Sequence, residues 1–399
     1  MAKCRICHSN QLEQVIDLGN QVITSRFPDY GDTSTPTTPV SLSQCHECGL
    51  VQLTSLVPQQ DLYEHMYGYR SGLNEMMRAH LRQYNSELQE MVTLGEGDAV
   101  LDIGSNDATF LSYYPSNVTR VGCDPTGKQF ATEYDGMTLI PTYFTAEAVP
   151  QHSYKVVTSI SMFYDLPDPI QFARDIRAVL HDEGIWSLEQ SYIQAMLNTN
   201  SIDTICHEHV EYYAVRQIKR IMDEAGLKII RISENGCNGG SFRLYVAKRE
   251  SSWKEDVDTV QLYLHAEEQA GLHIPDTYRQ FVARCDSEIA KLKQFLATHP
   301  NTYIYGASTK GNCLLQYANI GESDIRYAVE RNPQKVGKMT STGIEIISEE
   351  RMRQNPPEYL LVLPWHFRDA IVQRESEFLQ KGGSLIFPLP RFEIVSDHS

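Results

Sequence analysis

The densest group of side chains able to transfer protons is the run Cys206-His207-Glu208-His209, followed by Glu211, Tyr212 and Tyr213. Imidazoles titrate near neutral pH, and a carboxylate between two of them can orient one ring or stabilise its charged form. The run therefore suits a general base better than a packing role. A polar strand end with a satisfied buried histidine is the alternative, and the run alone leaves both interpretations open.

Two CxxC pairs near the amino terminus could bind a metal ion: Cys4 with Cys7, and Cys45 with Cys48. Each pair can place two thiolates on one side of a tight turn, and four thiolates suit a closed tetrahedral zinc site. A short segment with little apolar material gains more from such a cross-link than from a small core. We predict a structural zinc ion. A thioredoxin-like redox site is less favoured, because it needs one CxxC at a helix start.

A cofactor-binding turn is indicated by residues 100–111, which predict an apolar strand, a turn with one glycine and the start of a helix. A dinucleotide turn normally has three glycines, whereas this one has Gly104 with Asp102 and Asp107 nearby. The two acids would repel a pyrophosphate. They are compatible with a cofactor that carries a nearby cation, such as the amino group of S-adenosylmethionine (SAM).

Two further strand ends should border the same cleft. Asp124 ends the strand that lies about twenty residues on, where a carboxylate can accept both ribose hydroxyls. Ser161 and Met162 follow the next strand, and Tyr164 comes two residues after Met162. We predict that SAM is bound by Asp102, Gly104, Asn106, Asp124, Ser161 and Met162. Helix capping and turn formation are the alternative roles for Asp102 and Asp124.

The composition limits the class of partner. The chain has 399 residues, a formal net charge of -16 and a pI near 5.3, and it lacks the clustered Lys and Arg that a nucleic-acid surface needs. No apolar run reaches the length of a membrane span, and the first residues lack the apolar core of a signal peptide. We therefore expect a cytoplasmic protein with a small-molecule substrate and neither nucleic acid nor membrane as partner. Monomer and homo-oligomer remain open.

Four segments are expected to position these groups: a zinc-binding module (1–58), a SAM-binding domain (59–250), a helical connection (251–300) and a carboxy-terminal α/β domain (301–399). Within the second, a helical stretch from Asp61 to about Met91 precedes six β-rich runs that alternate with helical patterns, at residues 100–103, 118–123, 155–160, 184–189, 228–233 and 241–248. The alternation predicts a doubly wound α/β sheet. The connection should be interrupted near Ile274 and Pro275, and the last α/β unit should start at Thr302.

With these motifs assembled, the chain resembles the zinc-binding, SAM-dependent sugar C-methyltransferases that act on C3 of nucleotide-linked 4-keto-6-deoxy sugars. The resemblance covers nearly the whole length. It rests on the order of the CxxC pairs, the GSND turn, the segment from Tyr67 to Ser71, the HEH run, the NGGS segment at 238–241 and the GASTKGN segment at 306–312. It implies a class I methyltransferase (Rossmann-like) central domain and a Rossmann-like carboxy-terminal domain.

The resemblance also implies roles for individual residues. In that family the HEH run supplies an acid/base pair, which corresponds here to Glu208 and His209, with His209 as the base. Removal of the C3 proton by this base would give an enolate, and we expect His207 or a tyrosine hydroxyl to donate a hydrogen bond to the enolate oxygen. Substrate-binding candidates are Tyr67, Tyr69, Arg70, Tyr164, Asn238, Lys310 and Asn312. Two positions depart from the family pattern: Ala108 replaces a frequent glycine, which we expect a helix start to tolerate, and Cys206 replaces a tyrosine found in some members.

Tyr164, Tyr212 or Tyr213 could supply the phenol that a tyrosine at position 206 provides in some members of the family. The turn after Tyr305 can receive a phosphate on its backbone amides and so could hold the nucleotide part of the substrate, although its glycines could equally serve close packing. Three other functions remain possible: a sugar O-methyltransferase, an NAD-dependent nucleotide-sugar oxidoreductase, and a noncatalytic scaffold that binds a ligand. The absence of a GxGxxG turn counts against the oxidoreductase.

Overall fold

The computed structural model describes residues 3–32, 35–63, 69–150 and 153–397, so Tyr67 lies outside the described residues. The described residues form three β-sheets with their helices. Strands and helices are numbered in chain order, and each sheet corresponds to one of the regions predicted from the sequence to have its own fold.

The amino-terminal sheet is built from long polar strands that bury one face. Its first strands and the two helices that follow are β1 (Leu12–Val22), β2 (Thr37–Cys45), β3 (Val51–Leu53), α1 (Gln59–Tyr63) and α2 (Glu75–Met91). β1, β2 and β3 pair antiparallel, so the two CxxC turns, one before β1 and one after β2, meet at the same end of the sheet. The helix predicted from Asp61 is not continuous: α2 begins only at Glu75, because Asn74 is extended and caps it through the amide of Met76.

The central region contains the seven-stranded sheet. Its elements are β4 (Ala99–Ile103), β5 (Thr119–Cys123), β6 (Thr138–Ile140), β7 (Tyr154–Ile160), α3 (Pro169–Val179), β8 (Leu180–Ser191), α4 (Ile193–Asn198), β9 (Glu211–Tyr212), α5 (Val215–Glu224), β10 (Leu227–Asn235) and β11 (Ser241–Lys248). The strand order is β10-β11-β8-β7-β4-β5-β6. β4 to β8 run parallel, while β11 pairs antiparallel with both β8 and β10.

The chain winds outward from β4 in two directions, first through β5 and β6 and then through β7 and β8. The switch between β4 and β7 opens a crevice at the carboxyl ends of the strands, where open α/β sheets bind ligands. The predicted doubly wound α/β fold is confirmed, and each of the six predicted strands is present. β9 lies elsewhere: it is the fourth strand of the amino-terminal sheet, paired with β3.

The carboxy-terminal region begins with two helices, α6 (Val257–Gln269) and α7 (Pro275–Leu296), with the predicted break before Pro275. A six-stranded sheet follows, made of β12 (Thr302–Tyr305), α8 (Thr309–Ala318), β13 (Tyr327–Glu330), β14 (Glu345–Ser348), α9 (Glu349–Gln354), β15 (Tyr359–Val362), α10 (Arg368–Arg374), α11 (Ser376–Gln380), β16 (Ser384–Phe387) and β17 (Glu393–Ser396). The sheet is parallel except for β17 at its edge. No helix among the described residues is both long enough and apolar enough to cross a membrane.

Candidate active site

A cavity of about 470 Å³ lies where the three regions meet, at the carboxyl ends of β4, β5 and β7. The central sheet supplies one wall, and the run that contains His209 supplies another. The amino-terminal end of α8 closes it from the carboxy-terminal region. The predicted site residues that line it are Tyr69, Asp102, Gly104, Asn106, Asp124, Ser161, Met162, Tyr164, Glu208, His209, Asn238 and Lys310.

The cofactor turn after β4 has an unusual backbone. Gly104 has a φ of +75°, and a Cβ there would lie 3.0 Å from Met162 Cγ, so glycine is required both by conformation and by space. Asn106 and Ala108 also have positive φ values, of 49° and 59°. The predicted helix start is a short 3₁₀ turn at Leu111–Tyr113. The expectation for Ala108 is therefore wrong, because the residue occupies a left-handed position that disfavours any Cβ.

Two buried carboxyls stand at the ends of adjacent strands. Asp102 accepts from the Thr158 hydroxyl at 2.6 Å, and burial raises the pKa of Asp102 to about 7. Asp124 accepts from the amides of Asn106 at 2.8 Å and Thr126 at 2.6 Å, so it also caps its own turn. Asp124 Oδ1 also accepts from the Thr126 hydroxyl at 2.7 Å, whereas Oδ2 accepts, among the residues that the structure describes, only from Asn106 and retains a lone pair. A carboxylate at this strand end can accept ribose hydroxyls.

A further wall of the cavity was not predicted from the sequence. It follows β6 and consists of Thr142, Tyr143, Phe144 and Thr145. Phe144 is fixed by an edge contact with Phe172, their ring centroids 5.2 Å apart. The signal for this wall was weak because β6 has only three residues. A flat apolar surface beside Asp124 suits the adenine of a nucleoside whose ribose Asp124 holds.

His209 is half-buried, and one of its ring nitrogens is bound by the backbone of its own run. Its Nδ1 lies 2.7 Å from the carbonyl oxygen of Thr204, and since a carbonyl only accepts, Nδ1 carries the hydrogen. The neutral ring is therefore left with a basic Nε2. Burial opposes protonation, but Cys206, Glu208 and the Thr204 carbonyl outweigh it, so the pKa of His209 is raised above its ordinary value.

Three carboxyl groups share the cavity with His209, and each has an oxygen that lacks a hydrogen-bond partner among the described residues: Asp165 Oδ1, Asp203 Oδ1 and Glu208 Oε1. All three residues line the cavity. Burial raises the pKa of Asp165 well above its usual range and also raises that of Asp203. We call Asp165, Asp203, Glu208 and His209 the base-side wall. The composition around the HEH run gave no signal for Asp165 or Asp203.

His207 does not line the cavity. Its Nε2 lies 3.1 Å from the Thr38 carbonyl in β2, and burial lowers the pKa of the ring. His207 is thus placed to join the run to the amino-terminal sheet, and not to donate to a substrate oxygen. Tyr212 and Tyr213 are buried away from this cavity as well. Of the three tyrosines considered for Cys206, Tyr164 lines the cavity, and its ring centroid is 4.2 Å from that of His209.

Cys206 is the neighbour that most affects the His209 ring. The thiol lines the cavity together with His209 and with Cys313 of α8, and it raises the pKa of the ring. Burial, helped by Cys313, raises the pKa of the Cys206 thiol well above its usual range. Cys206 and His209 are therefore an interacting pair: the Cys206 side chain raises the pKa of the ring, and the ring opposes the rise in the pKa of the thiol.

The segment with Tyr69 and Arg70 is tied to the cofactor turn. Arg70 does not reach the cavity: it pairs with Asp107 at 3.1 Å and with Glu133 at 2.8 Å. The side chain of Asn106 accepts from the Ser71 amide at 3.0 Å and donates to the Tyr69 carbonyl at 3.1 Å. Arg70 and Asn106 thus hold this segment over the cavity, where Tyr69 lines the wall.

The carboxy-terminal turn contributes Thr309 and Lys310 to the cavity. Lys310 Nζ donates to the Asn238 carbonyl at 2.8 Å and lies 3.8 Å from Asp203 Oδ1. Asn312 does not line the cavity. It donates to the Thr24 carbonyl at 2.8 Å and accepts from the Ser341 amide, so it joins the carboxy-terminal region to the amino-terminal sheet.

The four predicted thiols converge at one end of the amino-terminal sheet. Cys4 Sγ lies 3.4 Å from Cys48 Sγ, Cys7 Sγ lies 3.4 Å from Cys45 Sγ, and all four sulfurs lie within 4.8 Å of one another. This spacing fits four thiolates on one tetrahedral zinc ion. Such an ion has no open coordination position, so its role is structural.

Three protein-family models match successive parts of the chain. Residues 4–63 match the family described as "Putative zinc binding domain", residues 75–232 match "Methyltransferase domain", and residues 236–390 match "C-methyltransferase C-terminal domain". The chain is a SAM-dependent methyltransferase. This methyltransferase combines the domain types of a zinc-binding C-methyltransferase, and its predicted cofactors, SAM and zinc, are confirmed.

Individual relatives are more distant. The methyltransferase is 28% identical to the C-methyltransferase NovU of Streptomyces niveus over 411 aligned positions, which cover 100% of this chain and 97% of NovU. Two solved structures align with its central region: a SAM-dependent methyltransferase from Aquifex aeolicus and the plantazolicin methyltransferase BpumL in complex with SAH. The first is 14% identical with a TM-score of 0.32, covering 42% of this chain and 97% of that one. The second is 10% identical with a TM-score of 0.35, covering 42% and 82%.

Proposed function

We propose that this methyltransferase transfers a methyl group from SAM to C3 of a nucleotide-linked 4-keto-6-deoxy sugar. The observation that carries the proposal is the position of His209, whose protonated Nδ1 is bound by Thr204 while the ring lines the same cavity as the cofactor turn. A base with a free nitrogen beside a methyl-donor site suits the methylation of a carbon that must first lose a proton. NovU, a C-methyltransferase of similar length, agrees with this chemistry.

The chemistry begins with the substrate ketone. A carbonyl at C4 makes the C3 proton acidic, and His209 Nε2 would remove it to give an enolate whose negative charge rests on the C4 oxygen. Bound SAM supplies an electrophilic sulfonium methyl. The C3–methyl bond would form as the sulfur–methyl bond breaks, which would leave S-adenosylhomocysteine and re-form the C4 ketone. The chain must orient the base, stabilise the enolate oxygen and exclude water.

The hydrogen-bond donor to the enolate is assigned to Tyr164 in place of His207. Tyr164 lines the cavity and its ring contacts His209, whereas His207 is turned toward Thr38. Glu208 accepts from the Thr24 hydroxyl at 3.1 Å, which fixes the carboxylate beside the base. Lys310, the amino-terminal amides of α8 and Asn238 are proposed to hold the nucleotide side of the substrate.

The proposal is tested with isotopically labelled substrate. Purified protein is incubated with SAM and a panel of nucleoside-diphosphate 4-keto-6-deoxyhexoses deuterated at C3, and products are analysed by mass spectrometry. We expect a product that gains one methyl group and loses the C3 deuteron, and we expect His209→Gln to abolish both. A methylated product that retains the deuteron would indicate O-methylation, and turnover with NADPH but not with SAM would indicate a reductase.

A further inference from the structure

The run that contains the base is part of the zinc module's sheet. β9 follows His209 by one residue and pairs with β3, Val51 facing Tyr212 and Gln52 facing Glu211. The amide of Leu53 donates to the Val210 carbonyl at 2.9 Å. Earlier in the run, Thr38 and Thr24 of the same module hold His207 and Glu208 as described above. His209 thus lies directly before β9, and the strand that pairs with β9, β3, follows the second zinc knuckle closely in the sequence.

Arg5 lies inside the first zinc knuckle and reaches this strand. Its amide donates to Gln52 Oε1 at 3.0 Å, and its Nη2 donates to the Leu53 carbonyl at 2.9 Å. Its Nε lies 3.6 Å from Glu211 Oε1. Because Cys4 and Cys7 are zinc ligands, the backbone of Arg5 between them is fixed by the metal. The guanidinium therefore contacts β3 and β9 from a backbone position that the metal holds in place.

The side chain of Glu211 has few polar contacts besides the one with Arg5. Its side chain is 0% exposed, and neither oxygen has a hydrogen-bond partner in the described part of the chain. Arg5 is its one ion-pair partner among the described residues. A buried carboxyl with one cationic neighbour is held in place by that neighbour. Glu211 was prominent in the sequence, yet it faces away from the cavity and has no part in the proposed chemistry.

We propose that Arg5 is a positioning residue: it couples the zinc knuckle to the catalytic run through Glu211 and the Leu53 carbonyl, and so fixes the ring of His209 in the cavity. The role of His209 in this inference rests on the proposed function, whereas the coupling of the knuckle to the run does not. The zinc ion takes no part in the chemistry. Its effect on activity is exerted through this arginine.

The test compares Arg5→Met with Arg5→Lys and with the control Arg279→Met. Arg279 pairs with Glu13 on β1, so the control removes an ion pair at the opposite edge strand of the same sheet from β9. Four properties are measured on full-length protein: zinc content, SAM affinity, amide hydrogen exchange of residues 204–214, and the pKa of His209 from ¹³C-labelled histidine spectra assigned with His209→Gln. Turnover is measured with a 4-keto-sugar that the wild type accepts.

We expect Arg5→Met to keep one zinc per chain and wild-type SAM affinity. Exchange in 204–214 should be about ten-fold faster, because the strand opens locally. kcat should fall by about 10²-fold with little change in KM, since displacement of a catalytic group by about 1 Å has such a cost. Arg5→Lys should show smaller changes in both exchange and kcat, and Arg279→Met should change neither. Unchanged exchange and an unchanged His209 pKa in Arg5→Met would overturn the inference, as would loss of zinc from that variant.

A double variant covers the case in which Arg5→Met does not fold. The double variant Arg5→Met with Glu211→Leu removes both members of the ion pair, so no buried carboxyl is left without its cationic neighbour. If Arg5 only neutralises Glu211, this variant regains wild-type exchange and kcat, and the inference fails. If Arg5 positions the run, amide exchange in residues 204–214 stays fast, because the Leu53 carbonyl still lacks the hydrogen bond from the Arg5 guanidinium. Since exchange needs no methyl acceptor, this outcome is independent of whether the proposed substrate class is correct.

Discussion

The zinc module and the base-side wall are both rich in polar side chains, but they differ in how those side chains are satisfied. The four thiols of the module face one another at metal-binding distance and leave no group over. In the wall, Asp165, Asp203 and Glu208 each keep a buried oxygen without a hydrogen-bond partner among the described residues. Unpaired buried polar atoms are costly, and a fold retains them where a ligand will complete them. The satisfied cluster suits a structural role, whereas the incomplete one is where we propose that the chemistry takes place.

The comparison also shows that the two regions are not independent. Residues 207–212 belong to the wall at one end and to the module's sheet at the other. A perturbation of the module should therefore reach the base, while a perturbation of the base should leave the module intact. The following predictions test this asymmetry, from the largest expected effect to the smallest.

Removal of zinc should have the largest effect. With a strong chelator under mild denaturant, we expect β1 to β3 to unfold and activity to disappear, because zinc binding to such sites contributes roughly 10–16 kcal/mol to folding. Thermal unfolding and amide exchange measure the change, and re-addition of Zn²⁺ should reverse it. A zinc-free protein with unchanged melting temperature and intact exchange protection in β1 to β3 would show that the module folds without its metal.

Loss of the base should be the next largest effect and should be confined to the wall. His209→Gln is expected to lower kcat by about 10² to 10⁴-fold, the usual contribution of a general base, with SAM affinity and melting temperature unchanged. The matched control is His46→Gln, which alters a half-exposed histidine of the second zinc knuckle. Near wild-type turnover of His209→Gln would mean that another group removes the proton.

Asp124 tests the cofactor side of the cavity. Asp124→Asn keeps one acceptor for the turn but removes the charge, so the SAM dissociation constant should rise about 10 to 100-fold, as for a hydrogen bond to a charged group. Calorimetry measures it. Asp98→Asn is the control, since Asp98 pairs with Lys155 outside the cavity. Equal affinities for wild type and Asp124→Asn would assign Asp124 to turn formation alone.

The pH dependence of kcat/KM reports the protonation of His209. The base must be neutral to accept the C3 proton, so activity rises with pH through its pKa, and a raised pKa moves this acid limb above the ordinary histidine value. Cys206 contributes to the rise, so Cys206→Ala should move the limb to lower pH. Cys285→Ala changes a buried thiol outside the cavity and should not move it. A limb that Cys206→Ala leaves in place would mean that another group sets the profile.

The sequence was sufficient for the parts that are local. The CxxC spacing predicted the thiol cluster, and the β-rich runs predicted the strands of the central sheet, because both patterns depend on residues close along the chain. It was insufficient where the contact partner is distant. His207 is bound to Thr38 and Asn312 to Thr24, and neither partner has a signal near these residues in the sequence. Asp203 and Asp165 join the wall through the same kind of distant packing.

The smallest expected effect concerns Ala108, whose backbone conformation was not predicted from the sequence. Ala108 has a φ of 59° and is buried, so its Cβ is strained. Ala108→Gly should relieve a cost of about 1–2 kcal/mol and lose part of it to the greater entropy of the unfolded chain, for a net gain of about 0.5 kcal/mol in the free energy of unfolding. Ala173→Gly, in the middle of α3, is the matched control and should lower that free energy by about 1 kcal/mol. Denaturant titration measures both. The same substitution should thus have opposite signs at the two sites, and destabilisation at both would mean that packing of the Ala108 methyl group outweighs its backbone strain.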